Sequence, residues 1–138
     1  MTKIIHCADL HLDSPMETHM TEEQASIRNT EIIHTFLRLT EYAVKNDVRA
    51  VIIAGDMFDG ERIKIRTVDE ILDAIRRTPN VDYLYLAGNH DGATYAFADH
   101  DMPDNLKIFG KEWKTYKYDS VAISGVEICE ANSQSLYL

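Results

Sequence analysis

The chain has little cysteine, few positive charges and no long apolar run, and each shortage excludes something. Its 138 residues hold two cysteines, Cys7 and Cys129, which form no metal or redox spacing. A reduced, cytoplasmic setting is therefore expected. No stretch is apolar for long enough to cross a bilayer, and no signal peptide precedes the first apolar run, so no membrane role is expected. Lys and Arg total 14 against 23 Asp and Glu, a formal charge of −9. A surface of that sign argues against gripping nucleic acid through the chain's own basic patches. It leaves a phosphate substrate open, because carboxylates in a site count toward the total and bound divalent cations would reverse the local sign. Low-complexity tracts are missing, and so are repeats beyond one pattern at strand ends. What remains, 45% hydrophobic and 27% charged, suits one domain with a real core.

That pattern is clearest at residues 51–60. Val51-Ile52-Ile53-Ala54 runs straight into Gly55-Asp56-Met57-Phe58-Asp59-Gly60. The run is too apolar for a strand solvated on one side and reads as a buried strand of a mostly parallel sheet. Its carboxyl end delivers Asp56 to the sheet edge, where open α/β sheets place ligands. Ile4 to Ala8 ends in the same way at Asp9-Leu10-His11, and Val81 to Ala87 ends at Gly88-Asn89-His90-Asp91. Strands are expected over residues 3–8, 48–54 and 82–87. Because tyrosine and leucine alternate in the third, it is expected to be less completely buried than the second and nearer the sheet edge.

Between the first two strands, Asp9 to about Met20 reads as a polar loop broken by Pro15, either a site loop or plain solvated chain. A long helix follows. Thr21 with Gln24 fits a capping box, and Glu22 and Glu23 suit a first turn. Ile33, Phe36 or Leu37, Thr40 and Val44 keep one face roughly apolar to about residue 45, and Asn46-Asp47 ends it. Strand, helix, strand is a crossover unit, expected to be right-handed. A second helix is expected with Thr67 and Glu70 as its capping box, Val68, Ile71, Leu72 and Ile75 as its buried stripe, and Pro79 as its stop. Residues 92–105 read as loop with a short helical turn around Tyr95 to Ala98. Leu106 to Phe109, Trp113 to Tyr118 and Ser120 to Ile128 read as short meandering strands, with turns at Gly110-Lys111 and Asp119-Ser120.

Three apolar strands in order, each ending in metal-capable groups, point to one site. Aspartate and imidazole together suit zinc, iron or manganese better than an all-oxygen calcium or magnesium site. Asp9 and His11 are two apart, so in extended chain they point the same way and reach one ion. Asp56 can bridge to a second ion, with Asn89 as a neutral ligand to it; such a pair would acidify a water for attack on phosphorus. The side chain next to a ligand points elsewhere, so His90 is assigned to the reaction: it can neutralise charge on the phosphorus intermediate and protonate the leaving oxygen. Asp91 orients His90. Asp59 either braces the second-strand loop or hydrogen-bonds His11. Gly55 and Gly88 permit close backbone approach and unusual φ. The other histidines have blander readings: His6 as packed in its strand, His34 as solvated or capping a neighbour, His19 and His100 as loop residues. Trp113, Tyr116 and Tyr118 read as strand packing.

The triplet Asp9-Leu10-His11, Gly55-Asp56-Met57-Phe58-Asp59 and Gly88-Asn89-His90-Asp91 resembles the calcineurin-like metallophosphoesterases. Residues 6–15, His-Cys-Ala-Asp-Leu-His-Leu-Asp-Ser-Pro, resemble the opening of bacterial DNA repair exonucleases of the SbcD type, especially the YhaO-like branch. Gly60 stands where the protein Ser/Thr phosphatases usually carry arginine, which counts against that branch. The resemblance implies an α/β fold, a metallophosphoesterase-type β-sandwich flanked by helices, here its N-terminal half with a mostly parallel sheet. It implies two divalent ions, usually manganese, and phosphodiester hydrolysis. Asp9 and His11 would bind the first ion, Asp56 bridge, Asn89 bind the second, and His90 act on the transition state. The family's later glycine-histidine motifs, which normally bring three more ligating histidines, have no counterpart between His90 and Leu138, where only His100 remains. Residues 1–138 are therefore expected to be the N-terminal part of a nuclease domain, with little or no activity alone. DNA is the implied substrate of the parent protein and a coiled-coil ATPase an implied partner. Two alternatives stay open: a small-molecule phosphodiesterase or phosphatase, and a non-catalytic scaffold of the same fold.

Overall fold

A computed structural model describes residues 1–15, 19–58, 63–88, 97, 99–129 and 132–133. Among them run β1 (Lys3–Cys7), α1 (Glu22–Lys45), β2 (Val48–Ala54), α2 (Ile65–Arg76), β3 (Asp82–Leu86), β4 (Leu106–Ile108), β5 (Lys114–Tyr118) and β6 (Val121–Gly125). The first four strands form one parallel sheet in the order β1-β2-β3-β4, while β5 and β6 pair as a separate antiparallel hairpin. This is the expected α/β fold with a mostly parallel sheet flanked by helices.

The alternation of side chains along β2 and β3 sorts the core into two layers. Val51, Ile53, Tyr83 and Tyr85 pack with Phe36 and Ala43 of α1 and Ile71 and Ile75 of α2. Ala50 and Leu84 face the other way, into a cluster with Phe109 and Tyr118 that Tyr116 and Ile123 of the hairpin complete. The sheet is thus covered by helices on one face and by the hairpin on the other.

Both faces of β3 are filled, which corrects the sequence reading. It lies between β2 and β4, and Tyr83, Leu84 and Tyr85 are fully buried. Tyrosine alternating with leucine is a large aromatic set against a large aliphatic, not polar against apolar. The Tyr83 hydroxyl meets its polar need inside, 2.8 Å from the Thr78 hydroxyl. Nor does Leu106 open a meander. β4 runs parallel to β3 in the main sheet, held at its ends by Tyr83 N–H to Asn105 O (2.7 Å) and Phe109 N–H to Tyr85 O (2.8 Å).

α1 begins and ends as expected. Thr21 Oγ1 accepts from Gln24 N–H at 3.2 Å and Gln24 Oε1 accepts from Thr21 N–H at 3.0 Å. Asn46 caps the carboxyl end and Asp47 turns left-handed (φ 56°). Its buried stripe is Phe36, Thr40 and Ala43; Val44, assigned to that face, is half exposed, one residue out of phase with it. α2 buries Val68, Ile71, Leu72 and Ile75 as expected, but it starts two residues before Thr67, so Thr67 and Glu70 are inside the helix and form no capping box. Two further readings fail at edges. His6 is exposed because β1 is an outer strand with that face uncovered. Trp113 precedes β5 and is 66% exposed, outside the cluster that holds Tyr116 and Tyr118.

Candidate metal centre

Parallel pairing sets the carboxyl ends of β1, β2 and β3 side by side, with Cys7 opposite Ile53 and Ala54 opposite Leu86. β1 does not simply stop there. Asp9 N–H donates to Gly55 O (3.2 Å), His11 N–H to Asp56 O (3.0 Å) and Leu12 N–H to Met57 O (2.9 Å), and Leu12 bridges to Phe58. The loop after β1 is zipped along the continuation of β2. Leu12, Met57 and Phe58, all fully buried, anchor the zip in the core.

The route to the site differs from the extended one expected. Asp9 (φ 54°), His11 (φ 45°) and Asp56 (φ 48°) are left-handed, as is Gly55 (φ 88°). Such φ values are uncommon outside glycine, though Asp and His are among the residues that tolerate them. Three at one sheet edge concentrate backbone strain where the donors are, a pattern typical of functional sites. The outcome is nonetheless convergence: one ligand atom each from Asp9, His11 and Asp56 lies within 4.8 Å of the others. Asp9 is exposed while His11 and Asp56 are half-buried, so the cluster opens to solvent on the Asp9 side.

Does this donor set fit an ion? Two atoms each about 2.0–2.2 Å from one metal are at most about 4.4 Å apart. His11 Nε2 and Asp9 Oδ1 are 4.0 Å apart, within that limit and too long for a hydrogen bond. The outer bound of 4.8 Å asks for a few tenths of an ångström of side-chain adjustment at most. Two carboxylates and an imidazole also match borderline transition metals chemically. The residues fit.

Gly88, two residues past β3, closes on the site from the third strand. A Cβ there would collide with the Asp56 carboxylate, 3.0 Å from its Cγ and 2.7 Å from the Asp56 backbone nitrogen. Gly55 N–H, one residue before Asp56, donates to Leu86 O at 2.8 Å. Close approach at Gly88 and an unusual φ at Gly55 are what these glycines were expected to allow. Asn89, His90 and Asp91, and likewise Asp59, lie outside the described residues, as does most of the helical turn expected around Tyr95.

Two side chains near the site carry signals the sequence reading did not use. Phe97 is buried edge-on against Phe58 (5.6 Å between ring centres) and Tyr85 (6.1 Å). It packs on the residue two beyond Asp56. Asp13 is neither a donor in the cluster nor solvated chain. Its side chain is 2% exposed, and it accepts from Lys64 N–H (2.7 Å) and pairs with Lys64 Nζ (2.7 Å). The alternation of Leu10 and Leu12 with Asp9, His11 and Asp13 hinted that the loop was structured. Outside the cluster, His100 Nδ1 lies 3.0 Å from Asp69 Oδ1, and His19 and His34 are exposed.

The family model for calcineurin-like phosphoesterases matches residues 2–135, a span that includes all three donors and β1 to β6. The chain belongs to the calcineurin-like phosphoesterases. Among relatives of this phosphoesterase chain, the DNA double-strand break repair protein Mre11 of Aeropyrum pernix is 33% identical over 93 residues, 66% of this chain and 21% of that protein. The Mre11 protein of Sulfurisphaera tokodaii is 26% identical over 137 residues, 91% of this chain and 33% of that one. An uncharacterized metallophosphoesterase, YhaO of Bacillus subtilis, is 26% identical over 110 residues, 76% of this chain and 27% of its own length. The phosphoesterase chain thus spans about a fifth to a third of the length of these relatives. Membership and donor cluster together place it in a superfamily of metal-dependent hydrolases. Among the described residues, no helix is long and apolar enough to cross a membrane.

Proposed function

We propose that this chain is the N-terminal part of a metal-dependent phosphodiesterase domain that degrades DNA ends in repair, working in the cytoplasm. The convergence of Asp9, His11 and Asp56 on one sheet edge carries the reading. Relatives named for DNA double-strand break repair supply the substrate class.

Asp9 and His11 would hold a first divalent ion. Asp56, two residues past β2, offers two oxygens and would be shared with a second ion, to which Asn89 adds a neutral oxygen. A manganese pair, when bound, would polarise the phosphoryl oxygens and make water a nucleophile near neutral pH. His90 would place a proton donor beside the leaving oxygen and offset the charge gathering on phosphorus, and Asp91 would fix its ring. Clustered carboxylates repel a phosphodiester, so metal binding by Asp9 and Asp56 has to come before substrate binding.

The family's further histidine ligands have no counterpart in this chain, so it should bind metal weakly and turn over slowly by itself. The parent protein should cleave DNA ends with manganese, and Asp56→Asn should abolish both cleavage and tight manganese binding. The acidic charge of −9 favours a rival substrate, a small phosphodiester such as a cyclic nucleotide. Assaying single-stranded DNA, duplex ends and a cyclic nucleotide side by side decides between them; turnover of the cyclic nucleotide alone overturns the nuclease reading. Manganese calorimetry that shows no binding by the full-length parent would leave only a scaffold role. A coiled-coil ATPase partner belongs to the same reading, and co-purification with the parent tests it.

A further inference from the structure

We infer that Asp13 is a positioning residue: its buried carboxylate, held by Lys64, sets the distance of Asp9 and His11 from Asp56. The inference rests on the metal reading above and deepens it.

The chain paths make the case. β1 leads through Asp9 and His11 to Asp13, and β2 leads through Asp56 and Phe58 toward Lys64 and α2. Near the sheet the two paths are joined by backbone hydrogen bonds, from Asp9 N–H to Gly55 O, His11 N–H to Asp56 O and Leu12 N–H to Met57 O. Farther out, Asp13 and Lys64 join them again, across 51 residues of sequence. Asp9 and His11 therefore lie on a segment that is cross-linked to the Asp56 side both at these residues and beyond them. Asn29 Nδ2 adds a third support from α1, donating to Ser14 O at 3.0 Å.

The chemistry of the contact is specific. A carboxylate with 2% exposure is costly to bury unless each oxygen has a partner. Here one oxygen takes the backbone N–H of Lys64 and the other its ammonium. Lys64 is the N-cap of α2 and has no side-chain cap of its own, so the carboxylate also lies where the helix dipole favours a negative charge. Asp13 itself is left-handed (φ 61°), completing an alternation with Asp9 and His11. Moving Asp13 would therefore turn the backbone that aims the two donors.

A purely structural cap on α2 would affect stability alone, so the test separates stability from metal affinity. The chain and its variants are titrated with manganese, followed by water-proton relaxation, and melted without metal. Asp13→Gly accepts the left-handed backbone but loses the brace, and should bind manganese at least about tenfold more weakly while staying folded, as loss of an outer contact to a ligand set commonly does. Asp13→Asn keeps an acceptor for Lys64 N–H and should stay within about threefold of wild type on the same grounds. Thr21→Ala, which removes the cap of α1 instead, should lower stability and leave manganese affinity unchanged. If Asp13→Gly does not fold, Lys64→Met decides, with a three- to tenfold loss expected from an outer contact only half removed. A folded Asp13→Gly, or failing that Lys64→Met, that binds within twofold of wild type overturns the inference and leaves the metal reading standing. A wild-type chain that takes up no manganese overturns the inference, and a full-length parent that takes up none overturns the metal reading with it.

Discussion

One hydrogen atom, the second on the α-carbon of Gly88, lets the chain just past β3 lie against the Asp56 carboxylate. Gly88→Ala would put a methyl group onto that carboxylate and 2.7 Å from the Asp56 nitrogen. The neighbours are a backbone atom and a half-buried donor, not a flexible side-chain end, so something in the site must shift. A loss of about 1–3 kcal/mol is expected, the usual cost of overpacking, together with weaker manganese binding. Gly110→Ala is the matched control. Nothing lies within 4 Å of its added Cβ, so its effect should stay within about 0.5 kcal/mol. Urea unfolding of both variants checks this, and equal losses would mean that Gly88 packs no more closely than Gly110. At this scale the sequence was readable where a residue type has few uses. Glycine before or near a donor at a strand end signals close approach. Left-handed Asp9 and His11 were not readable, because any residue type can occupy an extended segment and only neighbouring backbone shows that this one is bent.

Elements were legible where their signals are local and obscure where they come from far away. The cap of α1 is written within four residues, Thr21 to Gln24, and forms as written. The apparent cap at Thr67 and Glu70 is written just as locally, yet the helix starts at Ile65, with the N–H of its N-cap Lys64 held by Asp13 from across the fold. No window along the sequence contains that contact. The contrast has a measurable consequence. Thr21→Ala should cost about 1 kcal/mol, the usual loss for a working cap. Glu70→Ala, which removes no capping bond, should stay within about 0.5 kcal/mol. Denaturant midpoints of the two variants provide the comparison, and a Glu70→Ala loss as large as that of Thr21→Ala would restore the local cap. β2 was likewise legible from its unbroken apolar run, whereas the place of β3 depended on what covers its second face.

A polar clasp at Asp82 helps fasten the hairpin to the sheet, and it gives whole-molecule stability an alkaline limit. Asp82 Oδ2, at the start of β3, accepts from the Tyr118 hydroxyl at the end of β5 (2.6 Å) and from Lys107 Nζ in β4 (2.6 Å). Burial, then the bond to Asp82 and its negative charge, push the Tyr118 hydroxyl well above the ordinary tyrosine value. Tyr83 is raised too, by burial, against a smaller opposing effect of its bond to Thr78. A group whose folded pKa is raised favours the folded state while it is protonated. Its contribution is therefore complete below the unfolded value near pH 10 and is lost as pH rises through the folded value. The urea midpoint should thus fall above about pH 10 from these two groups and feel nothing from them between pH 7 and 9. Tyr118→Phe removes one of two donors to a partly buried carboxylate, which should cost about 1.5–3 kcal/mol at pH 7. It should also flatten the alkaline fall, because no ionisable hydroxyl is left at that position. Asp82→Asn should flatten it less, since burial, the larger cause, remains. Measured from pH 7 to 11, a Tyr118→Phe protein that loses stability as steeply as wild type would show that the Tyr118 hydroxyl does not set the alkaline limit, leaving the apolar contacts of Phe109, Tyr116 and Ile123 as the main join between hairpin and sheet.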